Sequence, residues 1–216
     1  PTAPRAMRQP SMTADTSPDV LRTTGPVLDC AARLFAEHGP RSLTMSTLAH
    51  RIADETGTDT DSLHRAFPTR LDLAHAVVLR STRERVEDQL RADRQSDPAD
   101  ARVCALVRHH VQTSWKHRTA VELARDLMPT LRAVSPGRYR QIAQLHRDYR
   151  LHVRDIISAG VGEGRFHVES VEAATRSVLD TCDSLEWYAP DDDLSLDGLT
   201  GVYVDLVLHH QLGHPR

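Results

Sequence analysis

Apolar side chains recur about every 3.6 residues along most of this chain, and glycine or proline interrupts each run. The first run begins with Val27, Leu28 and Ala31 and continues with Leu34 and Phe35, which share one helical face. No segment shows the strict alternation of apolar and polar residues that is typical of a β-strand. The sequence therefore predicts an all-α fold of about nine helices.

Glycine, proline and hydroxyl residues mark the ends of the first two predicted helices. Pro26 indicates the start of the first helix, because proline is tolerated in a first turn, and Gly39 indicates its end. Thr44 or Ser46 would cap the second helix, because a hydroxyl oxygen accepts from an unpaired backbone N–H there. Gly57 is expected to end that helix.

A short third helix and a long fourth helix follow. The third is predicted within residues 58–67 and ends before Pro68, because the residue before a proline avoids helical backbone angles. Thr69 would cap the fourth helix. Charged residues are expected on its solvent-exposed side; they are Arg83, Glu84, Arg85, Glu87 and Asp88.

Proline and serine also mark the later helix boundaries. Residues 1–20 are rich in proline, lack a helical period and are predicted to be a flexible arm. The penultimate helix is expected to run to residue 188. The remaining boundaries are predicted at Asp97 as the cap of the fifth helix, Pro129 as the end of the sixth, Ser135 and Pro136 as the start of the seventh, Ser170 as the start of the eighth and Ser195 as the cap of the ninth.

The composition is that of a soluble globular protein, with 39% hydrophobic and 26% charged residues. No apolar run approaches the roughly 18–20 residues that span a bilayer, and no apolar segment of a signal peptide is present, so a cytoplasmic location is expected. The three cysteines form no CxxC pair, which argues against a zinc or redox motif.

Three segments of the chain have residue patterns found in one known family. They are VLDCAARLFAEHG at residues 27–39, SLHRAFPTRLDL at residues 62–73 and EWYAPDDDLSLDGLTGVYVDLVLHH at residues 186–210. The first resembles the first helix of the TetR family of transcriptional regulators, and the second resembles the third helix of that family and the start of its fourth. The last segment resembles the last helices of one subgroup of the family.

The resemblance implies a domain organisation and a set of partners. Residues 21–70 would form a three-helix helix-turn-helix DNA-binding domain, and residues 71–216 a helical ligand-binding and dimerisation domain. The protein would be a homodimer through its last two helices. Its recognition helices would enter the major groove of a palindromic double-stranded DNA operator, and an unknown small-molecule effector would release the DNA. No cofactor is implied.

The resemblance also assigns candidate DNA contacts by position. Hydroxyl groups and backbone N–H groups at helix starts bind phosphates, and the recognition helix reads base edges. The candidate contacts are Thr44, Ser46, Thr58, Thr60, Asp61, Ser62, His64, Arg65 and Arg70.

Two departures from the family pattern favour an alternative function. About four residues, close to one helical turn, are inserted in the second helix. The recognition segment carries Asp59 and Asp61, and residues 1–90 hold 11 arginines and 12 acidic residues, a net charge of −1. Because phosphate attraction supplies most non-specific DNA affinity, the alternative is a TetR-like dimer with weak or no DNA binding that acts as an interaction module.

Large or soft side chains of the later helices are candidates for a ligand pocket or for core packing. They are Trp115, Leu123, Met128, Tyr149 and Cys182. Arginines of the middle helices could meet an anionic ligand such as an acyl-coenzyme A; these are Arg108, Arg118, Arg125, Arg147 and Arg150. No catalytic motif is present, and the adjacent histidine pairs do not share a helix face, so neither catalysis nor a metal site is predicted.

Overall fold

The computed structural model describes residues 18–187 and 195–216, and within these ranges the chain forms nine α-helices and no strand. The all-α prediction is confirmed. A 3-10 turn, Ser184–Trp187, follows the eighth helix, and π-helical backbone, Leu206–Gln211, continues the ninth. The helices are α1 (Pro18–His38), α2 (Met45–Thr56), α3 (Thr60–Ala66), α4 (Arg70–Ala92), α5 (Ala99–Lys116), α6 (Arg118–Val134), α7 (Pro136–Gly162), α8 (Val171–Asp183) and α9 (Leu196–Asp205).

Side-chain caps begin five of these helices. In each, a hydroxyl or carboxylate oxygen accepts from the backbone N–H three residues later, which satisfies one of the donors that a helix start leaves unpaired. The predicted caps at Thr44, Thr69, Ser170 and Ser195 are confirmed, and Asp59 caps α3.

Two predicted proline boundaries were wrong. The first helix begins at Pro18 and passes through Pro26, so the last three residues of the predicted arm belong to α1, and residues 1–17 lie outside the described residues. Likewise α6 continues through Pro129 to Val134. A proline inside a helix removes one backbone hydrogen bond and its ring crowds the carbonyl four residues earlier, and burial of the surrounding apolar face outweighs that local cost.

The start of α5 and the end of α8 also differ from the prediction. Pro98 occupies the cap position of α5 and makes no side-chain hydrogen bond. Instead of Asp97, the carboxylate of Glu163 at the end of α7 accepts from the backbone N–H of Ala99 at 3.1 Å. The helix α8 ends at Asp183, five residues before the predicted position.

The buried side chains form two clusters. The first cluster contains residues of α1 to α4, all of the buried residues of α6 and Ile142 from the start of α7. The second contains α5, α8, α9 and the rest of α7. The long helix α4 enters both, with Val77 in the first and Val86 in the second. The N-terminal helices therefore share a core with α6, across the predicted domain boundary at residue 70.

None of the helices in the described parts of the chain combines the length and the apolar character that crossing a membrane requires.

Candidate nucleic-acid interface and ligand cavity

Helices α2 and α3 form a helix-turn-helix with a stiff turn. Gly57 ends α2 in the left-handed conformation with φ 69°, which glycine adopts without a steric cost. The hydroxyl of Thr56 donates to the carbonyl of Ile52 at 2.7 Å and lies 2.9 Å from the hydroxyl of Thr58. Ile52 and Leu63 are buried and pack the two helices onto the first cluster. The opposite face of α3 is left open.

Asp59 is hydrogen-bonded to other residues of the recognition segment. Its carboxylate accepts from both the backbone N–H and the hydroxyl of Ser62, each at 2.9 Å. These bonds, first of all the one from the backbone of Ser62, lower the pKa of Asp59. Arg65 in turn donates to the hydroxyl of Ser62 at 2.9 Å. These hydrogen bonds from Asp59 to Arg65 order α3, the recognition helix or reader, before any ligand is present.

Asp61 differs from Asp59 in its surroundings. Its side chain is exposed on the first turn of α3 and has neither a hydrogen bond nor an ion pair among the described residues. Thr60 and His64 are half-buried beside it on the same short helix, and Arg65 is exposed. The open face of α3 thus presents one acidic and one basic side chain, which is compatible with reading base edges but gives little general attraction to phosphate.

The start of α2 offers hydroxyl and backbone donors. The hydroxyl of Thr44 accepts from the backbone N–H of Thr47 at 3.1 Å, and Ser46 is exposed. Arg41, which is not among the predicted contacts, is also exposed in the turn before Thr44. A basic residue shortly before a predicted cap is the signal that could have identified it.

Arg70 holds the turn between α1 and α2 in place. One nitrogen of its guanidinium donates to the carbonyl of Arg41 at 2.8 Å and to the carbonyl of Leu43 at 3.0 Å. Arg70, Arg41 and Thr44 line one groove of about 530 Å³, together with Thr130 and neighbouring residues of α6. Only the remaining N–H groups of Arg70 are left for a phosphate.

A charged clamp connects the start of α4 to α7. Thr69 and Asp72 form a reciprocal capping box, and Asp72 also pairs with Arg138 of α7. Burial raises the pKa of Asp72, but the hydrogen bonds from Thr69 and the charge of Arg138 outweigh burial and lower it. This ion pair joins α7 to the first turn of α4, the helix that follows the recognition helix.

A cavity of about 230 Å³ lies between the two buried clusters. An adjoining cavity of about 100 Å³ shares three of its lining residues, Arg85 of α4, His146 of α7 and Asp183 of α8. The wall contributed by α6 is mostly apolar. It consists of Ala120, Val121, Ala124, Arg125 and Met128.

Asp183 projects into this cavity from a chain of hydrogen bonds. Its carboxylate lies 3.1 Å from Nε2 of His110, and Nδ1 of His110 lies 3.0 Å from the hydroxyl of Tyr149. Burial raises the pKa of Tyr149, so the phenol stays protonated and donates to Nδ1. Nε2 of His110 then carries the proton and donates to Asp183.

The structure places the five predicted pocket residues in different surroundings. Met128 and Tyr149 line the cavities, and Trp115 lines a neighbouring cleft that also contains Asp183. Leu123 and Cys182 are instead buried within the two clusters and line none of these three spaces, because their apolar side chains pack against neighbouring helices.

The charged residues that line the cavities were only partly expected from the sequence. Arg85 was expected to face solvent, but it is half-buried and lines both cavities. Of the arginines suggested for an anionic ligand, Arg125 and Arg150 line the cavities, and Arg118 stacks over Trp115 at 5.3 Å in the cleft. Asp183 could not be identified from the sequence, because only the fold brings the end of α8 to the cavity that α4 also lines.

Metal ligation finds no support in the described ranges, where no group of three or more histidine, cysteine or acidic side chains is arranged to hold an ion.

Family models match both parts of the chain. Residues 27–77 match the model described as bacterial regulatory proteins, tetR family. Residues 96–210 match the model of a tetracyclin repressor-like C-terminal domain. The second match alone spans more than half of the 216 residues.

A curated relative and two solved structures extend the comparison. The HTH-type transcriptional repressor KstR2 of Rhodococcus jostii (strain RHA1) is 28% identical over 188 residues, which cover 84% of this chain and 87% of the relative. A bacterial regulatory protein in the tetR family from Rhodococcus RHA1 has a TM-score of 0.76 at 21% identity, covering 90% of this chain and 99% of that one. AibR, solved in complex with isovaleryl coenzyme A and operator DNA, has a TM-score of 0.68 at 16% identity, covering 84% and 96%. At these identities the two structures show a shared fold.

Proposed function

This chain belongs to the TetR family of bacterial transcriptional regulators, and from that premise we propose that it is a ligand-released repressor that binds a palindromic operator as a homodimer. The observation that carries the proposal is the ordered helix-turn-helix whose reader, α3, keeps its outer face open. The relative KstR2 is named a transcriptional repressor, which supports repression over activation for this chain.

The proposed DNA contacts divide into two groups. Thr44 and Ser46 at the start of α2 bind phosphate through hydroxyl and backbone donors, assisted by Arg41 and by the remaining N–H groups of Arg70. The second group reads base edges in the major groove or positions the side chains that do so. It consists of Thr58, Thr60, Asp61, Ser62, His64 and Arg65.

The proposed dimer forms through α8 and α9. Val202 and Leu206 lie one helical turn apart at α9 and are 53% and 39% exposed. Large apolar side chains in such a pair favour burial against a second copy of the chain. The two readers of the dimer would then lie about 34–36 Å apart, one turn of B-DNA.

The proposed effector site is the cavity around Arg85, His146 and Asp183. AibR was solved with a small molecule and operator DNA, which supports an effector for this chain as well. Helix α4 begins beside the reader and carries Arg85 into the cavity, so a ligand that moves Arg85 also moves the start of α4. Such differential binding typically couples two sites by about 1–3 kcal/mol.

Replacing Arg65 by alanine is expected to weaken operator binding by roughly 5- to 150-fold, the loss of about 1–3 kcal/mol that one base contact contributes. Fluorescence anisotropy would measure it, with a duplex from upstream of the protein's own gene and a scrambled duplex beside it. Arg83→Ala is the matched control, because Arg83 is exposed on α4 outside the helix-turn-helix. If Arg65→Ala and the wild type bind the operator equally, Arg65 makes no base contact.

A second candidate function is favoured by the exposed Asp61. A carboxylate near phosphates opposes DNA binding, which would suit a TetR-like dimer that acts only as an interaction module. On the repressor proposal, the same carboxylate accepts from N4 of a cytosine.

The substitution Asp61→Asn separates these two functions. An amide prefers adenine, so a repressor should change its preference from cytosine to adenine at one operator position. Selection from randomised duplexes would measure the change. If neither the wild type nor Asp61→Asn selects any sequence, the interaction module is the better description.

A further inference from the structure

Two side chains of opposite charge face the cavity, and the charge of Arg85 is one of the causes, after the hydrogen bond from His110, that lower the pKa of Asp183. Arg85 and Asp183 both line its two parts, yet no hydrogen bond or ion pair joins them. In the part of the chain that the structure describes, the guanidinium of Arg85 has no hydrogen-bonding or ion-pairing partner at all. A half-buried cation in that state is a ready site for an anionic group.

Asp183 is available as an acceptor for a ligand. His110 occupies one carboxylate oxygen, at 3.1 Å, and 65% of the Asp183 side-chain surface is exposed to solvent. The chain from Tyr149 through His110 fixes the position of this carboxylate. Its remaining lone pairs require a donor such as a hydroxyl group.

The charge of the lining selects among ligands that could satisfy both residues. Without counting Arg125, three arginines (Arg85, Arg150 and Arg176) and two aspartates (Asp180 and Asp183) line the two cavities. This excess of positive charge favours a ligand with net negative charge over a zwitterion with an ammonium group at Asp183. The alanines, Val121 and Met128 of α6 form an apolar wall that suits a hydrocarbon body.

We propose that the effector is a small hydroxylated organic anion whose acid group binds Arg85 and whose hydroxyl group donates to Asp183. The inference rests on the proposed function of the cavity as the effector site. The two adjoining cavities measure about 230 and 100 Å³, near the lower end of the roughly 300–1,000 Å³ that is typical of small-molecule pockets. Such a ligand bridges α4 and α8 and packs its hydrocarbon chain on α6.

Isothermal titration calorimetry on the full chain without DNA tests this assignment with three matched probes. They are ω-hydroxyoctanoate, octanoate and the octanediol with a hydroxyl group at each end. We expect ω-hydroxyoctanoate to bind at least tenfold more tightly than either of the others, because only it satisfies both residues.

Two variants assign each end of the probe. Arg85→Met should abolish the preference for ω-hydroxyoctanoate over the diol and keep the preference for ω-hydroxyoctanoate over octanoate. Asp183→Asn retains an oxygen that accepts from His110, and it should reduce the preference over octanoate several-fold. The exposed neighbours on the same helices provide controls, Arg83→Met on α4 and Glu172→Gln on α8, which should leave all three affinities unchanged.

Failure of the inference is distinct from failure of the proposed function. Equal binding of the three probes, or no binding of ω-hydroxyoctanoate at millimolar concentration, overturns the inference. Release of operator DNA is measured separately by anisotropy. If ω-hydroxyoctanoate binds with the expected preference but does not release DNA, the inference stands and ligand-released repression fails.

Discussion

Replacing Gly160 by alanine is expected to lower the free energy of unfolding by about 3 kcal/mol or more, at the upper end of the range for overpacked cores. A Cβ at Gly160 would lie 2.1 and 2.2 Å from two ring carbons of Phe166 and 3.0 Å from Cβ of Ala99. The ring cannot easily move away, because the backbone N–H of Phe166 donates to the carbonyl of Gly160 at 3.1 Å. Urea denaturation followed by circular dichroism would measure the loss.

Gly162 provides a matched control two residues further along α7. A Cβ there meets nothing within 4 Å. Gly162→Ala should therefore be neutral or stabilise the protein by up to about 1 kcal/mol, because alanine has less conformational freedom to lose on folding. If both variants have the same stability, the close approach of Phe166 to Gly160 does not constrain the fold.

Replacing Arg102 by methionine is expected to destabilise the protein by about 3–5 kcal/mol, because it leaves the buried carboxylate of Asp93 beside only His152, which lies 3.7 Å away and whose pKa is lowered by burial. Arg102 of α5 donates to both oxygens of Asp93 at 2.9 and 2.6 Å. The side chain of Asp93 is only 4% exposed, at the end of α4. The surface pair of Arg91 and Asp88 gives the control, and Arg91→Met should change stability by less than about 0.5 kcal/mol.

The contribution of Asp93 to the free energy of unfolding should depend on pH with opposite signs in the wild type and in Arg102→Met. The hydrogen bonds from Arg102 lower the pKa of Asp93, although burial raises it. The wild type is therefore stabilised above the ordinary carboxyl pKa of about 4 and loses this stability as the pH falls. Without Arg102, burial is expected to raise the pKa of Asp93. The variant should therefore lose stability as the pH rises through that pKa.

Urea denaturation at pH 7 and at pH 4 measures this difference. The gap in unfolding free energy between Arg102→Met and the wild type should narrow at the lower pH. A gap that stays constant would show that Arg102 acts through packing and not through the charge of Asp93.

Most of the helix-turn-helix could be predicted from the sequence, because its signals are local. A cap such as Thr44 or Thr69 bonds to a backbone group three residues away, and Gly57 adopts a left-handed conformation within its own turn. The family match at residues 27–77 depends on the same neighbouring residues. These interactions are specified within a few residues and need no knowledge of the remaining chain.

The proline boundaries were not predictable in this way. Pro26 and Pro129 are ordinary helix breakers in isolation, yet α1 and α6 pass through them. The residues around each proline pack against other helices of the same buried cluster. Tertiary burial decided where these two helices end, and local propensity did not.

By itself, the sequence determined the all-α class, the caps of the recognition unit and the family. The tertiary structure alone decided which polar side chains face each other. Arg85 and Asp183 are nearly a hundred residues apart and meet only because α4 and α8 border the same cavity. Arg70 holds a distant turn although its position resembles that of a DNA contact. Periodicity places a residue on a face of its own helix, whereas its partners depend on how the helices pack together.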